Sequence, residues 1–140
     1  MKQPVMAIAL IALCACAAQD APQKVTGEDV QNQAIMDFVN VREIAEVDKI
    51  RSRERDGWDE LTMTYIIYKA RRDRYLVEFA RPCYELRDNT EITPDYRSDS
   101  NAIRARFDTL RGCRIARIFA LNQDEADELK NIGEAPGKRN

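Results

Sequence analysis

The chain has 140 residues, 44% hydrophobic and 33% charged, with four cysteines and no histidine. That length suits one domain of ordinary size, and the missing imidazole excludes Ser/His/Asp and Cys/His nucleophiles, His-containing zinc sites and the usual titration near neutral pH. Lys plus Arg number 22 against 24 Asp plus Glu, a formal charge of -2, so net electrostatics do not make the whole protein a polyanion binder.

Residues 1–18 read MKQPVMAIALIALCACAA: one Lys, an apolar run from Val5 to Leu13, then small residues and cysteines. As a helix that run covers about 13 Å at roughly 1.5 Å per residue, too little for a bilayer core about 30 Å thick. It reads as a signal peptide over 1–15 rather than an anchor. Leu13-Cys14-Ala15-Cys16 resembles the box of a bacterial lipoprotein signal, with Cys16 the lipid acceptor; Cys14 is a poorer acceptor because Leu13 precedes it. Ala17 in place of Asp after Cys16 resembles lipoproteins sorted to the outer membrane, facing the periplasm. Ordinary cleavage after one of Ala15 to Ala18, releasing a soluble periplasmic protein, is the competing route.

Residues 16–27 mix Ala, Gln, Pro and Gly without periodicity and read as a flexible tether, followed by a globular domain over 28–132. Val30, Ala34, Ile35 and Phe38 share one helix face, and Glu28 and Asp29 suit a helix N-terminus, predicting a helix over 28–38. Val41, Ile44, Val47 and Ile50 recur every third residue and point to a strand around 43–51. Seven acids and five bases between 41 and 60 read as a solvated face, and Asp56-Gly57 as a turn.

TMTYIIYKA (62–70) and RYLVEFA (74–80), joined by Arg71-Arg72-Asp73, predict a β-hairpin whose second strand has one apolar face and ends at Pro82. The polar stretch from Tyr84 to Asn101 predicts a loop. IRARFDTL (103–110) and CRIARIFAL (113–121), joined at Arg111-Gly112, predict a second hairpin. Simple alternation in its second strand puts Cys113, Ile115, Arg117 and Phe119 on one face, and Arg114, Ala116 and Ile118 on the other. Asn122 with Glu125 three residues on has the form of a capping box for a helix to about Asn131, with Gly133 past its end; residues 133–140 read as a disordered tail. The fold class is therefore α+β: a small, mostly antiparallel sheet of two hairpins with an N-terminal and a C-terminal helix.

Export places the chain in an oxidising compartment, where the two remaining cysteines, Cys83 and Cys113, most simply bond to each other. Closing that loop is worth about 3.5 kcal/mol in the chain-entropy model. The alternative, a reactive or metal-binding pair, lacks the Cys-x-x-Cys spacing and any histidine. No metal and no cofactor is expected.

The runs RYLVEFARPCYEL and RARFDTLRGCRIARIFAL carry a resemblance, in Tyr75, Cys83-Tyr84-Glu85-Leu86, the Asp108 segment and Cys113-Arg114-Ile115 with Ile118. Over residues 35–132 the chain is similar to a family of small exported proteobacterial proteins, often lipoproteins, classed as a domain of unknown function. The resemblance implies an exported domain and assigns no activity.

Arginine is the most unevenly spread residue type: Arg97, Arg104, Arg106, Arg111, Arg114 and Arg117 face two acids, Asp99 and Asp108, a local charge of +4. On a strand, Arg104 and Arg106 would share a side, as would Arg111 and Arg117, making Arg104, Arg106, Arg111, Arg114 and Arg117 a candidate anion-binding stripe for phosphate or carboxylate. The plainer reading pairs these arginines with the protein's own acids, including Asp124, Glu125, Asp127 and Glu128. Carboxylate pairs such as Glu78 or Glu85 with Asp108 are unmarked by any motif, so no catalytic residue is assigned and a carboxylate-based hydrolase is disfavoured. Trp58, Tyr65, Tyr68, Tyr75, Tyr84 and Phe107 read as packing aromatics. The expected partners are an envelope protein or an anionic envelope component, with a membrane contact through the lipid anchor and no nucleic acid.

Overall fold

A computed structural model of the chain describes residues 27–51, 57–86, 94–95 and 102–133, with the backbone alone at 94–95. The expected signal segment, Cys16, the tether, the Asp56 side of the turn and the C-terminal tail lie outside the described residues.

The first helix, α1 (Gly27–Val41), carries Glu28 and Asp29 in its first turn, as its dipole favours, and buries Ile35 and Val39. It runs three residues past the predicted end. Its stop is a Schellman motif with no glycine: Ile44 N–H donates to Val39 O at 3.1 Å and Glu43 N–H to Asn40 O at 3.2 Å, with Glu43 left-handed at φ 50. Ile44 packs into the same apolar cluster as Val39. The strand expected over 43–51 is correspondingly shorter, because this cap occupies its first residues. Only β1 (Lys49–Arg51) is a strand, preceded by an isolated bridge from Glu46 to Phe119.

A six-stranded antiparallel sheet forms the middle layer. Its strands are β2 (Gly57–Glu60), β3 (Tyr65–Ala70), β4 (Asp73–Phe79), β5 (Pro94–Asp95), β7 (Thr109–Leu110) and β8 (Cys113–Leu121), in the order β2-β3-β4-β8-β7-β5. The β3–β4 hairpin stands as expected, with a tighter turn at Arg71-Arg72. Both its strands are buried on two faces rather than one: Ile67 and Leu76 point to one side, Ile66 and Val77 to the other, all at 0% exposure.

The segment expected as one strand over 103–110 is split. β6 (Ala102–Arg104) pairs with β1 in a separate two-stranded ribbon, the chain turns at Ala105–Asp108, and β7 returns to the main sheet. Arg106 at φ 67 sits in this turn in a left-handed conformation that no strand contains. The β7–β8 hairpin closes through Arg111 (φ 50) and Gly112 (φ 80), the two positive angles of a type I′ turn. The polar stretch after Cys83 begins with a 3-10 turn, Tyr84–Leu86, that buries Leu86.

β8 also departs from simple alternation. Glu78 pairs with Arg117 but Phe79 with Ile115, so Ala116 is an extra residue, a β-bulge. Cys113, Ile115 and Ile118 therefore join one cluster while Phe119 and Leu121 join the other.

The two clusters lie on opposite faces of the sheet. On one, α1 and α2 (Gln123–Gly133) bring Ile35, Val39, Ala126 and Leu129 over Ile67, Leu76 and Phe119. On the other, Ile50 and Ile103 of the ribbon cover Ile66, Val77 and Ile118. The capping box of α2 forms in both directions: Glu125 N–H donates to Asn122 Oδ1 and Asn122 N–H to Glu125 Oε2, each at 2.8 Å. Gly133 is the last helical residue rather than the one beyond. The architecture is α+β, with two sheets and one disulfide, Cys83–Cys113, whose Cα atoms are 5.8 Å apart.

Candidate functional site

The arginines of the candidate stripe do not share one face. Arg104 leaves β6 on the ribbon, where Nε lies 3.4 Å from Asp108 Oδ2 and the guanidinium sits 5.8 Å from the Phe107 ring centroid. Arg106, two residues on, lies in the turn instead of on the same strand side, and its Nη2 is 3.3 Å from Glu46. Arg111 occupies the β7–β8 turn, half-buried. Arg114 and Arg117 both stand on β8: Arg114 pairs with Thr109 and backs onto Ala80, whose N–H donates to the Arg114 carbonyl, while Arg117 faces Glu78 beyond the Phe79–Ile115 pair.

That row is the most organised polar group on the sheet. Tyr65, Glu78 and Arg117 are direct cross-strand partners on β3, β4 and β8. The Tyr65 hydroxyl donates to Glu78 Oε1 at 3.0 Å, and Arg117 Nε donates to Glu78 Oε2. The Arg117 guanidinium also lies 5.3 Å from the Phe119 ring centroid and 3.5 Å from the Met36 sulfur of α1. The bulge at Ala116 puts Arg117 on this face; without it, Arg117 would point to the ribbon side. Burial, reinforced by the Glu78 carboxylate, raises the Tyr65 hydroxyl far above its usual titration range. The hydrogen bond to Glu78 holds the Arg117 guanidinium more firmly in its charged form. The row is held by its own charges: each carboxylate oxygen of Glu78 has a donor.

Beside it, α1 is tied to the start of β3 by a polar seam. Thr62 Oγ1 donates to Asn32 Oδ1 at 2.6 Å, and Met63 N–H donates to Glu28 Oε1 at 2.7 Å. Thr62 Oγ1 in turn accepts from Thr64 N–H and Tyr65 N–H, each at 3.1 Å.

Two further groups of titratable residues stand apart. Asp59 on β2 is gripped by Lys69 Nζ at 2.7 Å and by Lys130 Nζ of α2 at 3.1 Å. Burial pushes this carboxyl up, but the two ammonium groups outweigh it and leave it below its ordinary value. Glu85 lies against the disulfide, its Oε2 3.1 Å from Cys113 Sγ. This is a contact rather than a hydrogen bond, since a disulfide sulfur has no proton to donate. Hydrogen bonds from its own backbone amide and from Arg81 hold the Glu85 carboxyl below the usual range. The ligand-type atoms of Cys83, Glu85 and Cys113 lie within 4.8 Å of one another, yet with the sulfurs bonded together the only donor of metal-binding type left is one carboxylate.

The acids of α2 have partners other than the candidate arginines: Glu128 takes Arg42 at 2.7 Å, and Asp127 takes Lys130 at 3.6 Å. Pairing of the candidate arginines with the chain's own acids thus occurs at Arg104, Arg106 and Arg117, through Asp108, Glu46 and Glu78. Sequence spacing could not find the Tyr65–Glu78–Arg117 row, since its members come from three strands. Among the described residues, no helix is long and apolar enough to cross a membrane.

Compared with known proteins, residues 1–134 match the model of a family described as "Family of unknown function (DUF6491)". The match is longer than the 35–132 span that carries the sequence resemblance. No curated protein and no solved structure matches the chain.

Proposed function

We propose, for a chain that belongs to the DUF6491 family of unknown function, that it is an exported envelope protein, lipidated at Cys16, that acts through protein or envelope contacts rather than by catalysis. The observation that carries this reading is the Cys83–Cys113 bond, with both residues at 0% exposure. A structural disulfide in so small a chain belongs with an oxidising compartment, and it agrees with the leader-like first 15 residues. The non-catalytic part rests on how the displaced titratable groups are used. Tyr65 is bound to Glu78, Asp59 to Lys69 of β3 and Lys130 of α2, and Glu85 to its neighbour Arg81.

Expression of the full chain in a Gram-negative host tests this reading. Palmitate label is expected in the wild type and absent from Cys16→Ala, and mass spectrometry without reduction is expected to find Cys83 linked to Cys113. Label retained by Cys16→Ala overturns the anchor; two free thiols in the exported protein overturn the structural bond.

A second reading, capture of an anionic ligand or glycolipid on the sheet, is favoured by one feature. Arg114 is exposed on β8, three residues before Arg117, and makes no ion pair among the described residues. Binding of lipopolysaccharide or a phosphorylated ligand at low salt, lost in Arg114→Glu and at high salt, supports this reading; no binding at low salt ends it.

A further inference from the structure

The outer surface of the two-stranded ribbon combines features that the main sheet does not. In its register Lys49 faces Arg104, Ile50 faces Ile103 and Arg51 faces Ala102. Ile50 and Ile103 are buried against the main sheet, so strand alternation sends Lys49, Arg51 and Arg104 to the opposite, exposed side. Lys49 and Arg104 are thus like charges directly opposite each other, an arrangement that costs a sheet stability; Asp108, 3.4 Å from Arg104 Nε, offsets part of that cost.

The turn that follows β6 adds an apolar group. Phe107 is 74% exposed at its tip, with the Arg104 guanidinium beside the ring. The turn is fixed by backbone bonds on both sides. Arg104 N–H donates to Asp108 Oδ2 at 2.7 Å and Asp108 N–H donates to Arg104 O at 3.1 Å. Ala105 N–H donates to Asp48 O and Arg106 N–H to Ile115 O, both at 2.9 Å. A large ring held in water on a braced turn loses little conformational entropy when it enters an apolar medium.

Among the described residues, the acids nearby do not cancel this charge. Asp108, buried, is committed to Arg104 and the turn backbone, Glu46 is paired with Arg106, and Asp48 is exposed. Against Lys49, Arg51, Arg104 and Arg106 these three leave a net excess of one positive charge.

We propose that the β1–β6 ribbon is a docking surface for an anionic lipid bilayer. Lys49, Arg51 and Arg104 meet headgroup phosphates there, and the Phe107 ring enters the boundary between headgroups and acyl chains. An anionic bilayer offers both chemistries side by side, phosphate for the bases and hydrocarbon for the ring; a free phosphate offers only the first. The proposal goes beyond the envelope-contact reading and does not depend on lipidation of Cys16.

The test uses the full chain carrying Cys16→Ala, so that no acyl chain contributes, with vesicles of neutral phosphatidylcholine or of phosphatidylcholine containing phosphatidylglycerol. Sedimentation is expected to show about tenfold stronger binding to the anionic vesicles, weakened by salt in the way surface charge pairs are screened. Lys49→Glu with Arg51→Glu is expected to remove that preference. Because Lys49→Glu places opposite charges across the ribbon, its melting temperature should hold or rise, which separates lost binding from lost folding. Phe107→Ala should weaken binding several-fold with the salt dependence kept. Arg71→Glu with Arg72→Glu, an equal charge change in the exposed β3–β4 turn, should change nothing. Equal binding to both vesicles, or a Lys49→Glu/Arg51→Glu variant that behaves like the Arg71→Glu/Arg72→Glu one, overturns the proposal. So does binding of polyglutamate that needs Lys49 and Arg51 but competes with vesicles and is indifferent to Phe107, which would assign the ribbon to an acidic protein.

Discussion

Arg117 on β8 is held to Glu78 on β4 across the sheet ladder, on the face covered by α1, with the Tyr65 hydroxyl taking the other carboxylate oxygen. The pair lies between the exposed and the buried regime: the Glu78 side chain keeps 16% of its surface in water and Arg117 keeps 36%. Breaking it strands a partly buried charge. Glu78→Gln is expected to lower unfolding free energy by about 2 kcal/mol, between the effects of exposed and buried pairs. In urea unfolding, Glu78→Leu with Arg117→Leu should recover much of that loss; a double variant as unstable as the sum of the singles would show that the two residues act separately.

Alkaline stability should depend on Tyr65. Its folded hydroxyl titrates above its ordinary value of 10.0, so its contribution is complete below that value and is lost as pH rises beyond it. Wild type should therefore lose stability above about pH 10 more steeply than Tyr65→Phe. At pH 7 the order reverses, because the variant lacks a hydrogen bond worth about 1 kcal/mol. Parallel denaturation curves at pH 7 and at alkaline pH check both signs.

At the acid end the corresponding residue is Asp59. Its folded carboxyl lies below the ordinary 3.8, so the stability it supplies through Lys69 and Lys130 is present above that value and disappears as pH falls through the lower, folded one. Asp59→Asn should be less stable than wild type at pH 7, and the gap should close below about pH 4. A gap that stays constant from pH 7 to pH 2 would contradict the ion pairs.

Glu43 gives a stabilising prediction. It holds the left-handed position of the α1 cap at φ 50, where a side chain is strained and glycine is not. Glu43→Gly should stabilise the protein by about 0.5–1 kcal/mol, and Glu43→Val, β-branched at the same angle, should destabilise it. Thermal melts of the three proteins rank them directly.

The disulfide closes a loop with a sequence separation of 30. Reduction, or Cys83→Ala with Cys113→Ala, should cost about 3.5 kcal/mol by loop entropy. The readout is the unfolding midpoint with and without reductant, which should differ in the wild type and coincide in the variant.

Features made by neighbours along the chain are legible in the sequence alone. The β3–β4 hairpin, the Asn122–Glu125 capping box and the helical face of α1 each depend on contacts within a few residues, so their residue types and spacing are enough. The cysteine pairing is legible for another reason: with Cys14 and Cys16 set aside, only two candidates remain. What stays hidden is anything that interrupts a local pattern without changing the residue types. Arg106 breaks a run that alternates like a strand, and no glycine or proline marks the break. The Ala116 bulge resets the faces of β8 in a segment that is apolar nearly throughout.

Composition and local pattern by themselves determined that this chain is an α+β protein with one internal disulfide and no imidazole chemistry. Tertiary structure alone decided where its charges go. Period-2 reasoning assumes an unbroken strand, whereas one bulge and one left-handed turn separate the arginines: Arg117 meets Glu78 under α1, Arg114 stands exposed on β8, and Arg104 lies on the ribbon opposite Lys49. Cross-strand register sets those partners, and register is fixed by burial of Ile50, Ile103, Ile115 and Ile118 from distant parts of the chain, information that no window along the sequence contains.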